Sequence, residues 1–231
     1  MKETVVIISI VYYALLAMLC IAAVLDKEKK YYARFKMLAS TAFLTMAFGF
    51  AFYASEYVGM QLLLLLGMVA CWCGDLALGY YHKKRRKGFM LAGIGSFAVA
   101  HILFLSFLYE RDPSVTTVDV IVPILALPMV LLMIYGFNLH MGQARIPILI
   151  YSVLLTAVAT KGVHTMLDTT TTHSFLIGFA TQIFWFSDYA LLFLYFYHAK
   201  KRTTKYILHI VNHTLYFTSM YLMALSILFD K

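Results

Sequence analysis

Charged residues, cysteine and proline are all scarce in this chain of 231 residues. Only 13% of the residues are Asp, Glu, Lys or Arg, whereas 62% are hydrophobic. A soluble domain of this size cannot bury that much apolar surface, so the composition excludes an ordinary soluble globular protein. It predicts an all-α, polytopic membrane protein.

The positions of the few cysteines and prolines bear on two further questions: whether the chain has a cysteine framework, and whether its helices are straight. Cys20, Cys71 and Cys73 all lie within apolar runs. They predict neither a disulfide framework nor a zinc ribbon, because a single CxC pair is a weak signal. Two of the four prolines, Pro123 and Pro128, fall inside one apolar run. A proline removes a backbone hydrogen bond in a helix interior, so we expect that helix to be kinked or broken.

Eight apolar runs approach the length of about 20 residues that a helix needs to cross a bilayer. They predict a single domain, residues 1–231, of eight transmembrane helices. The sixth is the weakest, since it is short and ends near Lys161 and Gly162. The predicted helices cover residues 5–25, 35–54, 59–81, 88–109, 119–138, 146–162, 174–197 and 206–229.

The connections between these runs differ in charge. Fifteen of the 19 Lys and Arg residues lie in alternate connections, at 26–36, 82–87, 140–145 and 198–205. The opposite connections hold the acids Glu56, Glu110, Asp112, Asp119 and Asp168. The positive-inside rule therefore predicts basic connections in the cytoplasm and both termini outside it. The net charge of +8 then reports topology and contact with anionic lipid headgroups, not a nucleic-acid partner. The short connections favour a bacterial cytoplasmic membrane; the endoplasmic reticulum is the eukaryotic equivalent.

Two runs, the third and the seventh, end in a similar way. One reads GDLALGYYHKK (74–84) and the other SDYALLFLYFYHAKK (187–201). Each has a small residue, Asp, Ala-Leu, aromatics, His and basic residues. An offset of four helices preserves orientation, so the pair favours a parallel four-plus-four repeat. The alternative is a chance match of one short motif.

Asp75 and Asp188 lie at similar depths in these two runs. Asp75 precedes His82 by seven residues, and Asp188 precedes His198 by ten. At a rise of about 1.5 Å per residue, both lie roughly 10–15 Å from the cytoplasmic end. Carboxylates inside a membrane usually have a function, so we expect both to face one cavity. The alternative is that each bonds a neighbouring side chain and fixes helix packing.

Other polar residues within the runs are candidates for the same site. His101 flanks a stripe of small residues, Ala92, Ser96 and Ala100, which allows close approach of another helix. Lys36 opens the second run and either extends to the headgroups or contacts a phosphate or an aspartate.

The last run carries a separate polar group. His209 and His213 share one helix face at a spacing of four, with Tyr216 on about the same face and the packing amide of Asn212 beside them. That spacing is a weak metal signal without a Glu in an HExxH arrangement, and we expect no metal.

The motifs around the two aspartates resemble those of the YhhN family of membrane proteins, whose known enzymes are lysoplasmalogenases. Gly74 and Asp75 match the first acidic motif, Ala100 and His101 the following one, and Asp188 the second acidic motif. The resemblance spans the second to the eighth helix and implies the eight-helix fold.

Further positions of the family pattern both agree and differ. Lys36 and Tyr151 match the family Lys and the mid-chain Tyr. Tyr216 matches in the last helix, whereas Phe104 stands in place of a Tyr and Met220 in place of a Gln.

The resemblance implies hydrolysis of the vinyl ether of a lysoplasmalogen, a lysophospholipid, to a fatty aldehyde and a glycerophospho-ethanolamine or -choline. An enol ether is cleaved by acid through an oxocarbenium ion, as in glycoside hydrolysis. The site therefore needs a protonated acid and a carboxylate, and Asp75 and Asp188 are the candidates. His101 is the candidate for proton relay or for orienting an acid. Substrate contacts are predicted at Lys36, Tyr151, Asn212, His213 and Tyr216. The chemistry requires no cofactor.

Three other functions fit the same residues. A proton-coupled transporter also places Asp and His within the membrane and uses broken helices. A lipid-binding regulator binds lysolipid without turnover. A lipid hydrolase with a zinc ion on His and Asp is the third alternative.

Overall fold

The apolar runs fold into long helices, which make up 90% of the structure. The computed structural model describes residues 2–26, 30–54, 58–84, 86–199 and 201–230, and this part of the chain contains no strand. The eight α-helices are α1 Lys2–Leu25, α2 Lys30–Tyr53, α3 Val58–Lys84, α4 Lys87–Arg111, α5 Thr117–Gly136, α6 Arg145–Asp168, α7 Thr172–Phe196 and α8 Arg202–Ser226. Short 3-10 turns cover Gly142–Ala144 and Ile227–Phe229.

Two expectations about individual helices are wrong. α6 does not end near Gly162 but continues to Asp168. Lys161 is fully buried and paired with Asp112 at 2.7 Å, so its charge does not need to reach water. α5 is one continuous helix through Pro123 and Pro128, so the expectation of a break is wrong, whereas a kink stays a prediction. Each proline removes one backbone hydrogen bond, and the remaining bonds keep the helix unbroken.

Seven of the described helices, α1 to α7, are long and apolar enough to cross a membrane, so the protein is a multi-pass membrane protein. α8 is as long as α7 but more polar. Its histidines His209 and His213 and its amide Asn212 are buried inside the bundle, where other helices shield them from lipid. The predicted total of eight spans therefore stays a prediction.

Small residues allow the closest helix crossings. On α6 and α7, a Cβ on Gly178 would lie 2.5 Å from the Gly162 carbonyl oxygen. On α3 and α4, a Cβ on Gly93 would lie 2.7 Å from Leu78 Cδ2. The predicted stripe contributes less, because Ala92 is exposed. Glycines, not that stripe, mark the close approach of α4.

The two ends of the bundle differ in charge. At one end, the His140 N–H donates to the Phe196 carbonyl at 3.1 Å, which brings connections 140–145 and 198–205 together. We call this the basic end. At the other, the acidic end, Asp230 binds Arg111. This grouping agrees with the sorting of charges along the chain; which end faces the cytoplasm stays a prediction. Glu56 lies outside the described residues.

Equivalent helix pairs pack together in the two halves of the chain. α1–α2, α2–α3 and α3–α4 contacts have counterparts in α5–α6, α6–α7 and α7–α8. The contact of α2 with α8 likewise has its counterpart in that of α6 with α4. An offset of four helices relates every one of these pairs, although the duplication itself stays a prediction.

Candidate active site

Asp75 is held inside the bundle by three polar partners. Its carboxylate is 1% exposed, and Oδ1 lies 3.0 Å from Lys36 Nζ. The Oδ2 atom accepts hydrogen bonds from Ser40 Oγ at 2.6 Å and Tyr216 OH at 2.8 Å. The Lys36 side chain is only 6% exposed, so the interpretation that it extends to the headgroups is wrong. Asp75 and Lys36 form a buried ion pair, and two hydroxyl groups further stabilise the carboxylate.

Asp188 stands in a different environment, on the wall of a cavity. Its Oδ2 accepts a hydrogen bond from the Tyr151 hydroxyl. The cavity lies between α3, α4, α5, α6 and α7, and apolar side chains such as Leu155 and Leu192 form most of its wall. Asp188 is the only carboxylate among the lining residues, so the wall supplies a single acidic group and no metal-ligand set.

The cavity is small and runs toward the basic end of the bundle. Its free volume is about 80 Å³, well below the roughly 300–1,000 Å³ of typical ligand sites. Met90, Ile148 and Phe196, which lie near the basic ends of their helices, also line it. Only a short segment of a long ligand fits beside Asp188, and the rest must extend between helices.

His101 packs against Tyr151 but does not itself line the cavity. Its Nδ1 is 2.7 Å from the Phe97 carbonyl oxygen, so Nδ1 carries the proton and Nε2 the lone pair. Within the described part of the chain, the buried Nε2 has no hydrogen-bond partner. The imidazole packs edge-on against Tyr151, with ring centroids 5.1 Å apart, and against Phe184 at 4.8 Å. His101 therefore supports the Tyr151 ring.

Phe97 is in contact both with the cavity and with the surroundings of Asp75. Its ring lines the cavity and contacts the Tyr216 ring at 5.9 Å. On the same side, a Cβ on Gly74 would lie 2.7 Å from Phe97 Cε2. Asp75 is not among the residues that line the cavity. The expectation that both carboxylates face one cavity is therefore wrong, because only Asp188 lines it, whereas the Phe97 ring packs against Gly74, the residue before Asp75.

The predicted contacts on α8 also lie away from the cavity wall. Asn212 Nδ2 donates to the Ser187 carbonyl and hydroxyl oxygens, both at 3.0 Å, and so fixes the residue before Asp188. His213 packs against Tyr32, with ring centroids 5.5 Å apart. Tyr216 binds Asp75. Of the predicted substrate contacts, only Tyr151 lines the cavity.

Comparison with known proteins gives the family. The model of the YhhN family matches residues 31–227, which is most of the chain and includes both aspartates. The chain belongs to the YhhN family. A comparison with curated proteins and with solved structures finds no match.

Sequence reasoning missed Ser40 as a partner of Asp75 in this YhhN protein. Ser40 follows Lys36 by four residues and therefore shares its helix face. That spacing was the available signal, since a face that presents Lys36 to an aspartate also presents Ser40.

Proposed function

We propose that this YhhN protein hydrolyses the vinyl ether of lysoplasmalogens, with Asp188 as the acid. The family includes lysoplasmalogenases. The observation that carries the proposal is the placement of one carboxyl group, bonded to Tyr151, on the wall of an apolar cavity between membrane helices. A lipid has its reacting bond beside a hydrocarbon chain; the cavity accommodates the bond, and the chain extends between the helices.

The reaction can be written with one carboxyl group that acts twice. Protonated Asp188 gives its proton to the distal alkene carbon, and the carbon bonded to oxygen becomes an oxocarbenium ion. Water adds to that carbon and loses a proton to the Asp188 carboxylate, which regenerates the acid. The hemiacetal then transfers its hydroxyl proton to the glycerol oxygen as the carbon–oxygen bond breaks. The products are a fatty aldehyde and the glycerophospho alcohol, and one water is consumed.

Asp75 and Lys36 have a positioning role in this proposal. Neither lines the cavity, and each is engaged by the other at 3.0 Å, so we assign neither a contact with the reacting bond. Their ion pair joins α2 to α3, and Tyr216 extends the connection to α8. The pair thereby fixes the wall formed by Phe97. This differs from an aspartate dyad in which both carboxyl groups act directly on the substrate.

The headgroup of the substrate lies toward the basic end. The cavity reaches Ile148, one turn after Arg145 at the start of α6. The Arg145 guanidinium lies over the Tyr135 ring at 5.2 Å and donates to its hydroxyl at 2.5 Å. An arginine so oriented near the cavity is suited to a phosphate. Lys36 is already engaged by Asp75, so the phosphate contact falls to the basic connections.

The test uses the purified full chain in detergent with three lysophospholipids that differ only at the first chain: 1-alkenyl, 1-alkyl and 1-acyl. We expect fatty aldehyde from the alkenyl lipid alone. In D₂O, aldehyde reduced at once to the alcohol should carry one deuterium at the carbon next to the carbonyl carbon, because the proposed acid protonates that carbon. Folded protein that releases no aldehyde, or aldehyde without deuterium at that carbon, contradicts the proposal.

A further inference from the structure

His164 at the acidic end lies between two carboxylates. Its Nδ1 is 3.0 Å from Asp119 Oδ2, and its Nε2 is 2.8 Å from Asp168 Oδ2. A neutral imidazole carries one proton and can satisfy one of these contacts. At the other contact, a nitrogen lone pair would face a carboxylate oxygen. A second proton or a metal cation is needed there.

The surrounding charge also favours a cation. Asp112 is the third carboxylate of the cluster, and Lys161 Nζ binds it at 2.7 Å. Three carboxylates thus surround one lysine and one histidine. Lys161 Nζ lies 3.4 Å from His164 Nδ1, the same ring nitrogen that contacts Asp119.

Asp119 adds an independent observation. The residue is 8% exposed, and within the described part of the chain its Oδ1 has no hydrogen-bond partner. The other oxygen, Oδ2, accepts from the Thr116 N–H at 2.8 Å and is fixed against His164. Asp119, His164 and Asp168 line one groove of about 590 Å³ between α5, α6 and α7. A buried carboxylate oxygen without a partner beside this groove adds negative charge that favours a positively charged ligand.

We propose that His164, Asp168 and Asp112 bind a divalent cation of the class that accepts nitrogen and oxygen ligands, such as Zn²⁺. One ligand atom from each residue lies within 4.8 Å of the others. Bonds of about 2.0–2.2 Å bring tetrahedral ligands to about 3.3 Å from one another, so a small closure of the cluster completes the site. Asp119 holds Nδ1–H and leaves Nε2 for the metal, as in carboxylate–histidine–metal arrangements.

This site is separate from the candidate active site. His164 follows Tyr151 by 13 residues on α6, a distance of about 20 Å along the helix. Asp112 begins the connection between α4 and α5, whereas His164 and Asp168 belong to α6. A cation bound by all three residues fastens this connection to the end of α6. Its presence does not depend on the reaction proposed for the cavity.

The test measures Zn²⁺ binding to the full chain without a polyhistidine tag, after removal of metal by a chelator. His140 and His198 are replaced by Ala in every sample, because these exposed rings lie 4.8 Å apart and can bind metal themselves. Equilibrium dialysis with elemental analysis gives stoichiometry and affinity. We expect one Zn²⁺ per chain and a higher melting temperature with the metal.

Four variants test the assignment, and the first, His164→Ala, removes the nitrogen ligand and should lose at least about tenfold in affinity. Asp168→Asn, whose side chain is 54% exposed and therefore tolerant of change, should lose at least about tenfold in affinity. Asp119→Asn should lose about 10–100-fold in affinity, because the amide no longer orients the His164 ring as the carboxylate does. Glu110→Gln changes an exposed acid at the same end and should bind like the parent. If the folded parent binds no Zn²⁺, or if Asp168→Asn and His164→Ala bind equally well, the site holds only an imidazolium and the proposal is overturned.

Discussion

Lys36 and Tyr151 occupy the seventh position of α2 and α6, and each binds the aspartate of the following helix. Tyr216 and His101 likewise share position 15 of α8 and α4 and pack beside these two centres. The same arrangement of helices therefore produces two centres of different character. One is a buried ion pair, and the other is an aspartate bonded to a hydroxyl beside a cavity.

Replacing Asp188 by Asn should abolish most of the proposed activity while leaving the fold intact. An amide has a similar shape but cannot donate a proton to carbon, and general acid catalysis contributes about 10²–10⁴-fold. We expect aldehyde release from 1-alkenyl lysophospholipid to fall by about that factor. Glu110→Gln is the matched control, since it removes an exposed carboxylate far from the cavity. Equal activity of Asp188→Asn and the wild type would remove Asp188 from the mechanism.

Lys36→Met should destabilise the protein strongly. It leaves the Asp75 carboxylate, 1% exposed, without its cation. Breaking a buried pair at one partner costs about 3–5 kcal/mol. The double variant Lys36→Met/Asp75→Asn removes both charges and should recover much of that loss. Unfolding of the detergent-solubilised proteins measures both values. A double variant no more stable than Lys36→Met would show that the charges are not coupled.

Gly178→Ala should weaken the crossing of α6 and α7. The new Cβ would lie 2.5 Å from the Gly162 carbonyl oxygen, which is backbone and cannot move aside alone. Overpacking of this kind costs about 1–3 kcal/mol. The matched control is Gly95→Ala in α4, where a Cβ meets nothing within 4 Å. That variant should gain up to about 1 kcal/mol from helix propensity. Equal melting temperatures for the two variants would contradict the crossing described here.

Acid should weaken the contact between Asp230 and Arg111. Burial raises the pKa of Asp230, but the hydrogen bonds and charge of Arg111 and the charge of His173 outweigh burial and hold the pKa below its ordinary 3.8. The stabilisation is therefore complete above about pH 4 and is lost as pH falls through the lower value in the folded protein. Asp112 contributes in the same direction. The melting temperature of Asp230→Asn should consequently fall less than that of the wild type below pH 4. Parallel pH profiles would count against this contact.

The sequence predicts where the helices lie along the chain, but it does not predict which side chains on different helices contact one another. Run length predicts the helices, because each must span a bilayer or bury its apolar surface. The charge of Lys161 predicts the end of a membrane helix, because the sequence does not show that its partner, Asp112, lies 49 residues away in the chain. Similarly, depth predicts Asp75 and Asp188 at one level, but it does not specify that only Asp188 lines the cavity. Helical periodicity gives the face on which a residue lies, whereas the opposing face comes from packing.

The contact of Gly162 with Gly178 is the point at which the helices that carry Tyr151 and Asp188 cross. Tyr151 lies 11 residues from Gly162 and Asp188 lies 10 residues from Gly178, in the direction of the basic end. These two helix segments are about 15–16 Å long. A change of about 5° in the angle at which the helices cross therefore displaces the Tyr151 hydroxyl from the Asp188 carboxyl by about 1 Å. A misplacement of that size can reduce a rate about 100-fold. Two glycines at the acidic half of the bundle thus set the alignment of groups in its basic half.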